Sequence, residues 1–159
     1  MLVGLTAASV IVVDQVTKAI AVASLSGREP VELLAGALTL RLIRNPGAAF
    51  GLASGFTIVL SVLAMAVSIA IVRFARRLTS LRWAVALGLL LGGALGNLVD
   101  RVFRSPGLLR GHVIDFLDSP VTLVFNIADV AITCAGVGMV VLTLRGVQLD
   151  GSRDDDDDG

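Results

Sequence analysis

Three aspartates near the C-terminal third, Asp115, Asp118 and Asp129, are the residues of this 159-residue chain best suited to chemistry. At ~4 Å and an effective dielectric of about 20, two carboxylates repel by about 4 kcal/mol. Such a pair keeps one shared proton and titrates as a unit. The ionised member can take a proton from a bound water while the protonated member polarises a carbonyl, which is aspartyl protease chemistry. Asp129 with either Asp115 or Asp118 would supply the pair. Asn126, three residues before Asp129, shares a helix face with it and can orient a carboxylate; Ala128 and Ala131 leave room alongside. Other chemistries lack parts. One histidine, His112, and one cysteine, Cys134, cannot build a thiolate zinc site or a disulfide framework. Cys134 is expected as a buried apolar filler, and neither metal nor cofactor is expected.

Further polar residues stand where apolar ones surround them. Asp14 and Lys18, four apart, share a face and can pair. Gly88, Gly92 and Gly96 form a stripe that continues to Asp100, and a second ridge runs Gly93, Asn97, Arg101. Glycine at each turn lets a neighbouring helix approach closely, so Asn97, Asp100 and Arg101 are held tightly against whatever that stripe meets.

What must position these groups is a membrane. Apolar residues make up 55% of the chain and charged residues 16%, with a mean hydropathy of +0.89. A soluble domain has about 25% charged residues, and this chain lacks the polar surface one needs. Apolar runs over residues 2–24, 56–74, 83–103 and 121–144 each reach the ~20 residues of a helical span. Asp129, eight residues after Val121, is then expected about 12 Å into the fourth helix. An ionisable group within a span is costly and by default functional or paired.

The short second connection carries Arg73, Arg76, Arg77 and Arg82, which places it and both termini in the cytoplasm by the positive-inside rule. The longer connections, 25–55 and 104–120, then face outward. From Leu38 to Leu42 residues alternate apolar and polar, as in a short strand at the bilayer surface, and Asn45-Pro46-Gly47 breaks it. Without the run of five from Asp154 to Asp158, 13 bases stand against eight acids. Residues 149–159 read as a disordered acidic tail and residues 1–148 as one domain. No nucleic-acid partner is expected.

Five motifs follow in order: Asp14-Gln-Val-Thr-Lys18, Asn45-Pro-Gly-Ala-Ala-Phe-Gly51, Gly92-Gly-Ala-Leu-Gly-Asn-Leu-Val-Asp-Arg101, Val113-Ile-Asp-Phe116 and Phe125-Asn-Ile-Ala-Asp-Val-Ala131. Together, over roughly residues 11 to 131, they resemble the lipoprotein signal peptidase (signal peptidase II, prolipoprotein signal peptidase) family. The resemblance implies a mainly α membrane protein of four transmembrane helices with a small extracytoplasmic β-sheet cradle, both termini cytoplasmic, in the bacterial inner membrane. It implies an aspartic endopeptidase that removes the signal peptide of diacylglyceryl-modified prolipoproteins by cleaving before the lipidated cysteine. Asp115 and Asp129 then match the catalytic dyad. Asn45, Gly47, Asn97, Arg101 and Asn126 match groups lining the site, with Asp14, Lys18 and Asp100 supporting. The implied partners are lipidated prolipoproteins, membrane lipid and globomycin-type inhibitors, with the enzyme acting as a monomer. Asp118, before Ser-Pro, is expected as a turn or cap acid at the start of the fourth helix. The stretch 103–111 is longer than the resemblance leads one to expect, and 152–159 matches nothing in it.

Two other readings compete. A proton-coupled transporter or channel would need polar residues across the whole bilayer, whereas the inner halves of the third and fourth spans are nearly all apolar. A non-enzymatic assembly or lipid-binding protein would account for the glycine stripe but not for two site carboxylates with their asparagine.

Overall fold

A computed structural model describes residues 1–47, 55–122 and 124–152. Four helices long and apolar enough to cross a membrane account for most of it: α1 (Leu2–Leu25), α2 (Gly55–Ala75), α3 (Leu81–Phe103) and α4 (Ile127–Leu144). Strands β1 (Val31–Leu33), β2 (Leu38–Asn45) and β3 (Val113–Asp118) form one antiparallel sheet in the order β1-β2-β3. The expected fold class therefore holds.

Helix α3 is the centre of the bundle. Half of its membrane window is buried, against 17–22% for the other three helices. Glycine is the reason. A methyl group on Gly88 or Gly92 would stand 2.6 Å from Cβ of Thr6 or Val10 in α1, and one on Gly93 2.5 Å from the Ala128 carbonyl in α4. The two ridges legible in the sequence thus face two different neighbours, α1 and α4. Val3, Ala7, Ile71, Ala84 and Leu91 close the packing of α1, α2 and α3 at one end. Leu5, Val12, Leu63, Val137 and Val140 point away from the bundle, as a lipid solvent permits.

The sheet lies at the other end, on the last turns of α1, where Ala21 packs beneath Ile114 and Phe116. Its register slips once: Leu40 pairs with Leu117, but Ile43 pairs with Asp115. One extra residue in β2 at Arg41–Leu42 therefore changes which face the rest of that strand presents. Without the bulge Arg44 would share a face with Asp115. With it, Ile43 and Asn45 do.

Three expectations need correction. The apolar run from Val121 is not all helix: residues 119–122 turn, Phe125 pairs with Leu117, and α4 starts at Ile127. Asp129 therefore lies in the first turn of α4, not 12 Å inside it, and Asn126 caps that helix instead of belonging to it. Asp118 ends β3 just ahead of the 119–122 turn, where it pairs with Arg41 at 2.9 Å, and so does not stand at the start of α4. Cys134 is exposed on α4; a lipid-facing helix turns its apolar residues outward, so hydrophobicity there does not mean burial. At the far end, the backbone N–H groups of Thr79 and Ser80 donate to the Leu149 carbonyl. The acidic run Asp154–Asp158 and the motif residues Ala48–Gly51 lie outside the described residues.

Candidate active site

Asp115 and Asp129 reach one cleft from different elements. β3 carries Asp115, which is 2% exposed. Asn45 Nδ2 donates to its Oδ2 at 2.8 Å, and Asn126 Nδ2 to its Oδ1 at 2.6 Å. Burial pushes the Asp115 carboxyl up to about 6; the two amide hydrogen bonds pull it down and the Asp129 charge nearby pushes it up. The position of Asn45 follows from the bulge in β2. Its own Oδ1 accepts from the Gly47 N–H at 2.8 Å, which settles which way its amide faces. Gly47 has φ +86, a region open to glycine, and a methyl group there would stand 2.9 Å from Leu60 Cδ1.

Asp129 is held by a capping box. Asn126 Oδ1 accepts from the Asp129 N–H at 3.0 Å, and Asp129 Oδ2 accepts from the Asn126 N–H at 3.1 Å. Its other oxygen accepts from Asn97 Nδ2 at 2.9 Å. The first turn of a helix favours a negative charge. Asn126 and Asn97 are themselves joined, Asn126 Nδ2 to Asn97 Oδ1, at 3.1 Å. Two asparagines thus connect the two carboxylates, and the fully buried Asn126 touches both.

Behind them lies a dry ionic cluster. The Lys18 ammonium stands 2.8 Å from Asp14 Oδ2, 2.8 Å from Asp100 Oδ2 and 3.0 Å from Asn97 Oδ1. Asp14, Lys18 and Asp100 are all 0% exposed. The spacing of Asp14 and Lys18 anticipates one of these pairs; the second acid, Asp100, comes from α3. Gln15 was missed as a site residue: its Nε2 reaches Asp14 at 3.1 Å, the Gly96 carbonyl at 3.1 Å and Asp100 at 3.4 Å. A lone amide beside Asp14 in an apolar helix was the available signal. Arg104 was missed too, though it stands four residues after Asp100 and donates to it at 2.5 Å. Arg101 extends towards Gly47, and among the described residues its buried Nη1 has no hydrogen-bond partner.

The cleft holds about 560 Å³ and is lined by Asn45, Asp115, Phe125, Asp129, Val130 and Cys134, with Thr122, Val124 and Thr133. A larger hollow of about 730 Å³ at the opposite end, between Phe74, Trp83 and Leu149, contains no pair of carboxylates. In the smaller cleft, a water between Asp115 and Asp129 would have a base on one side and an acid on the other.

Comparison with known proteins shows the family. A family model described as signal peptidase (SPase) II matches residues 6–145. The lipoprotein signal peptidase of Rhodococcus jostii (strain RHA1) is 51% identical over 144 residues, 91% of this chain and 73% of that protein. That of Streptomyces coelicolor (strain ATCC BAA-471 / A3(2) / M145) is 51% identical over 139 residues, 87% and 68%. A bacterial membrane enzyme solved by the in meso method at 1.9 Å superposes with a TM-score of 0.77 at 33% identity, covering 89% of this chain and 91% of that one. Four membrane helices, a three-stranded sheet and matches that run through all of them lead to one conclusion: the chain belongs to the signal peptidase II family of bacterial membrane peptidases.

Proposed function

We propose that this protein removes the signal peptide from diacylglyceryl-modified prolipoproteins, cleaving before the lipidated cysteine, with Asp115 and Asp129 as an aspartyl dyad. The observation that carries the reading is the pair of carboxylates, one from β3 and one from α4, opening on a single cleft and bridged by Asn126 and Asn97. The ionised aspartate takes a proton from water, whose oxygen attacks the scissile carbonyl. The protonated aspartate gives its proton to the carbonyl oxygen. As the tetrahedral diol collapses, the first aspartate gives its proton to the leaving amide nitrogen while a diol hydroxyl returns a proton to the second, so the pair again holds one. Asn45 and Asn126 keep Asp115 oriented throughout. Arg101, with a buried N–H unpaired among the described residues, is suited to a substrate carbonyl.

The four arginines between residues 73 and 82 support cytoplasmic termini. The dyad, at the opposite end of α3, then faces the outer side of the inner membrane, with the sheet as an extracytoplasmic cradle. In this reading residues 1–148 act as one monomeric domain with 149–159 as an acidic tail, and globomycin-type inhibitors compete for the cleft. Purified protein incubated with a lipidated prolipoprotein should release the signal peptide, and Asp115→Asn and Asp129→Asn should each abolish release while staying folded. The proposal fails if both variants cleave normally, or if the wild-type protein is inert where another member of the family is active.

A further inference from the structure

The two aspartates come from separate elements, and something must fix how they stand relative to each other. The backbone N–H one residue before each aspartate is held by a buried acid. Asp100 Oδ2 accepts from the Ile114 N–H at 3.1 Å, and Asp14 Oδ1 accepts from the Ala128 N–H at 2.9 Å. Both acids end on one ammonium, Lys18 Nζ, at 2.8 Å each. The third ammonium N–H goes to Asn97 Oδ1 at 3.0 Å, and the same amide donates to Asp129. Through one intervening side chain, each of the three donors of the lysine therefore reaches either a dyad carboxylate or the backbone N–H just before one.

We propose that Lys18 is a positioning residue: it ties Asp14, Asp100 and Asn97 into one clamp that sets the separation and alignment of Asp115 and Asp129. The inference rests on the peptidase reading above. Charge neutralisation alone does not account for the arrangement. Lys18 and Arg104 balance Asp14 and Asp100, yet a buried ion cluster is often no more stable than apolar residues of the same volume. Geometry is what the cluster supplies and an apolar core does not. The clamp is also seated from behind: a methyl group on Gly96 would stand 2.8 Å from Asp14 Oδ2, so α1 and α3 meet with no slack at this level. The polar and charged groups facing the clamp and the dyad are Asp14 and Gln15 from α1, Asn45 from β2, Asn97, Asp100, Arg101 and Arg104 from α3, Asp115 from β3, and Asn126 at the start of α4.

Lys18 is the sole lysine of the chain, so protein grown with ¹⁵Nζ-lysine has one labelled side-chain ammonium. In the wild-type protein that signal should move in a pH titration of the dyad, and the step should vanish in Asp115→Asn. This measurement needs no substrate and stands even if the chain cleaves nothing, so it separates this inference from the peptidase reading. Lys18→Met should lower kcat roughly 100-fold, the effect expected of an ångström-scale misplacement, with KM changed less than about twofold. Because two stranded acids could unfold that variant, the neutral combination Asp14→Asn, Lys18→Met, Asp100→Asn is tested beside it. It keeps both acceptors for the Ile114 and Ala128 N–H groups but no link between them, and it should show the same loss of kcat. A lysine signal indifferent to the dyad, or wild-type kcat in either folded variant, would overturn the proposal.

Discussion

Replacing Asp115 by asparagine should make the folded protein more stable at neutral pH while removing its activity. The carboxyl is 2% exposed and pushed from 3.8 to about 6. A carboxylate raised in this way contributes stability in full below its unfolded value, and loses that contribution as pH rises through the folded value. At about 1.4 kcal/mol per pH unit, ionising Asp115 costs the fold about 3 kcal/mol above pH 7. Asparagine avoids that cost but cannot accept both hydrogen bonds: Asn45 and Asn126 each present an N–H, and one would meet the new amide's own NH₂. Losing that bond offsets about 1 kcal/mol. The net expectation is a gain of about 2 kcal/mol near pH 7.5, or a rise of roughly 5 °C in Tm. Thermal unfolding of wild type and Asp115→Asn in detergent, from pH 4 to 8, measures the gap directly, because other titrating groups shift both proteins together. Below about pH 4, where Asp115 is protonated folded or unfolded, that cost is absent and the lost bond should leave the variant about 1 kcal/mol the less stable; the gap should then reverse and widen up to about pH 6. A gap that is flat with pH, or a variant that loses ground above pH 6, would refute the assignment of a buried, strained charge to Asp115.

Other expectations are simpler. Gly96→Ala places a methyl 2.8 Å from Asp14 Oδ2 and 3.3 Å from Ala128 Cβ, and should cost about 2 kcal/mol or more by thermal unfolding; Gly4→Ala, with nothing within 4 Å, should be neutral. A maleimide on the exposed Cys134, which lines the cleft, should inhibit cleavage by obstruction, and Cys134→Ala should be active and immune to the reagent. Asp118→Asn loses only a partly exposed pair with Arg41, so it should keep near-wild-type turnover and lose less than about 1 kcal/mol.

How much of this was legible beforehand depends on whether the signal was local. Helix α3 carries its packing in its own spacing, because glycine every fourth residue leaves one face without side chains, and both ridges met neighbours as expected. The bilayer likewise dictates span lengths, so α1, α2 and α3 lie within two residues of the apolar runs. The start of α4 was hidden. Val121 to Phe125 reads as the start of a span, and only the pairing of Phe125 with Leu117 delays α4 to Ile127 and makes Asn126 its cap. Alternation from Leu38 to Leu42 revealed β2 but not the bulge that puts Asn45 on the face of Asp115, since a bulge leaves no mark in hydrophobicity. Asp100 was noted on α3, yet its bond to Lys18 joins residues 82 apart and required the fold.

The cleft is bounded on one side by the flank of α4 at Val130, Thr133 and Cys134, so its opening gives sideways onto the bilayer as well as upward. A substrate anchored by acyl chains would therefore search for the dyad in two dimensions. The quantity that governs encounter is then molecules per unit of membrane area, not per litre. In micelles, adding detergent at constant substrate concentration should slow cleavage, because enzyme and substrate are spread over more surface, whereas equal dilution with buffer should leave turnover per enzyme unchanged.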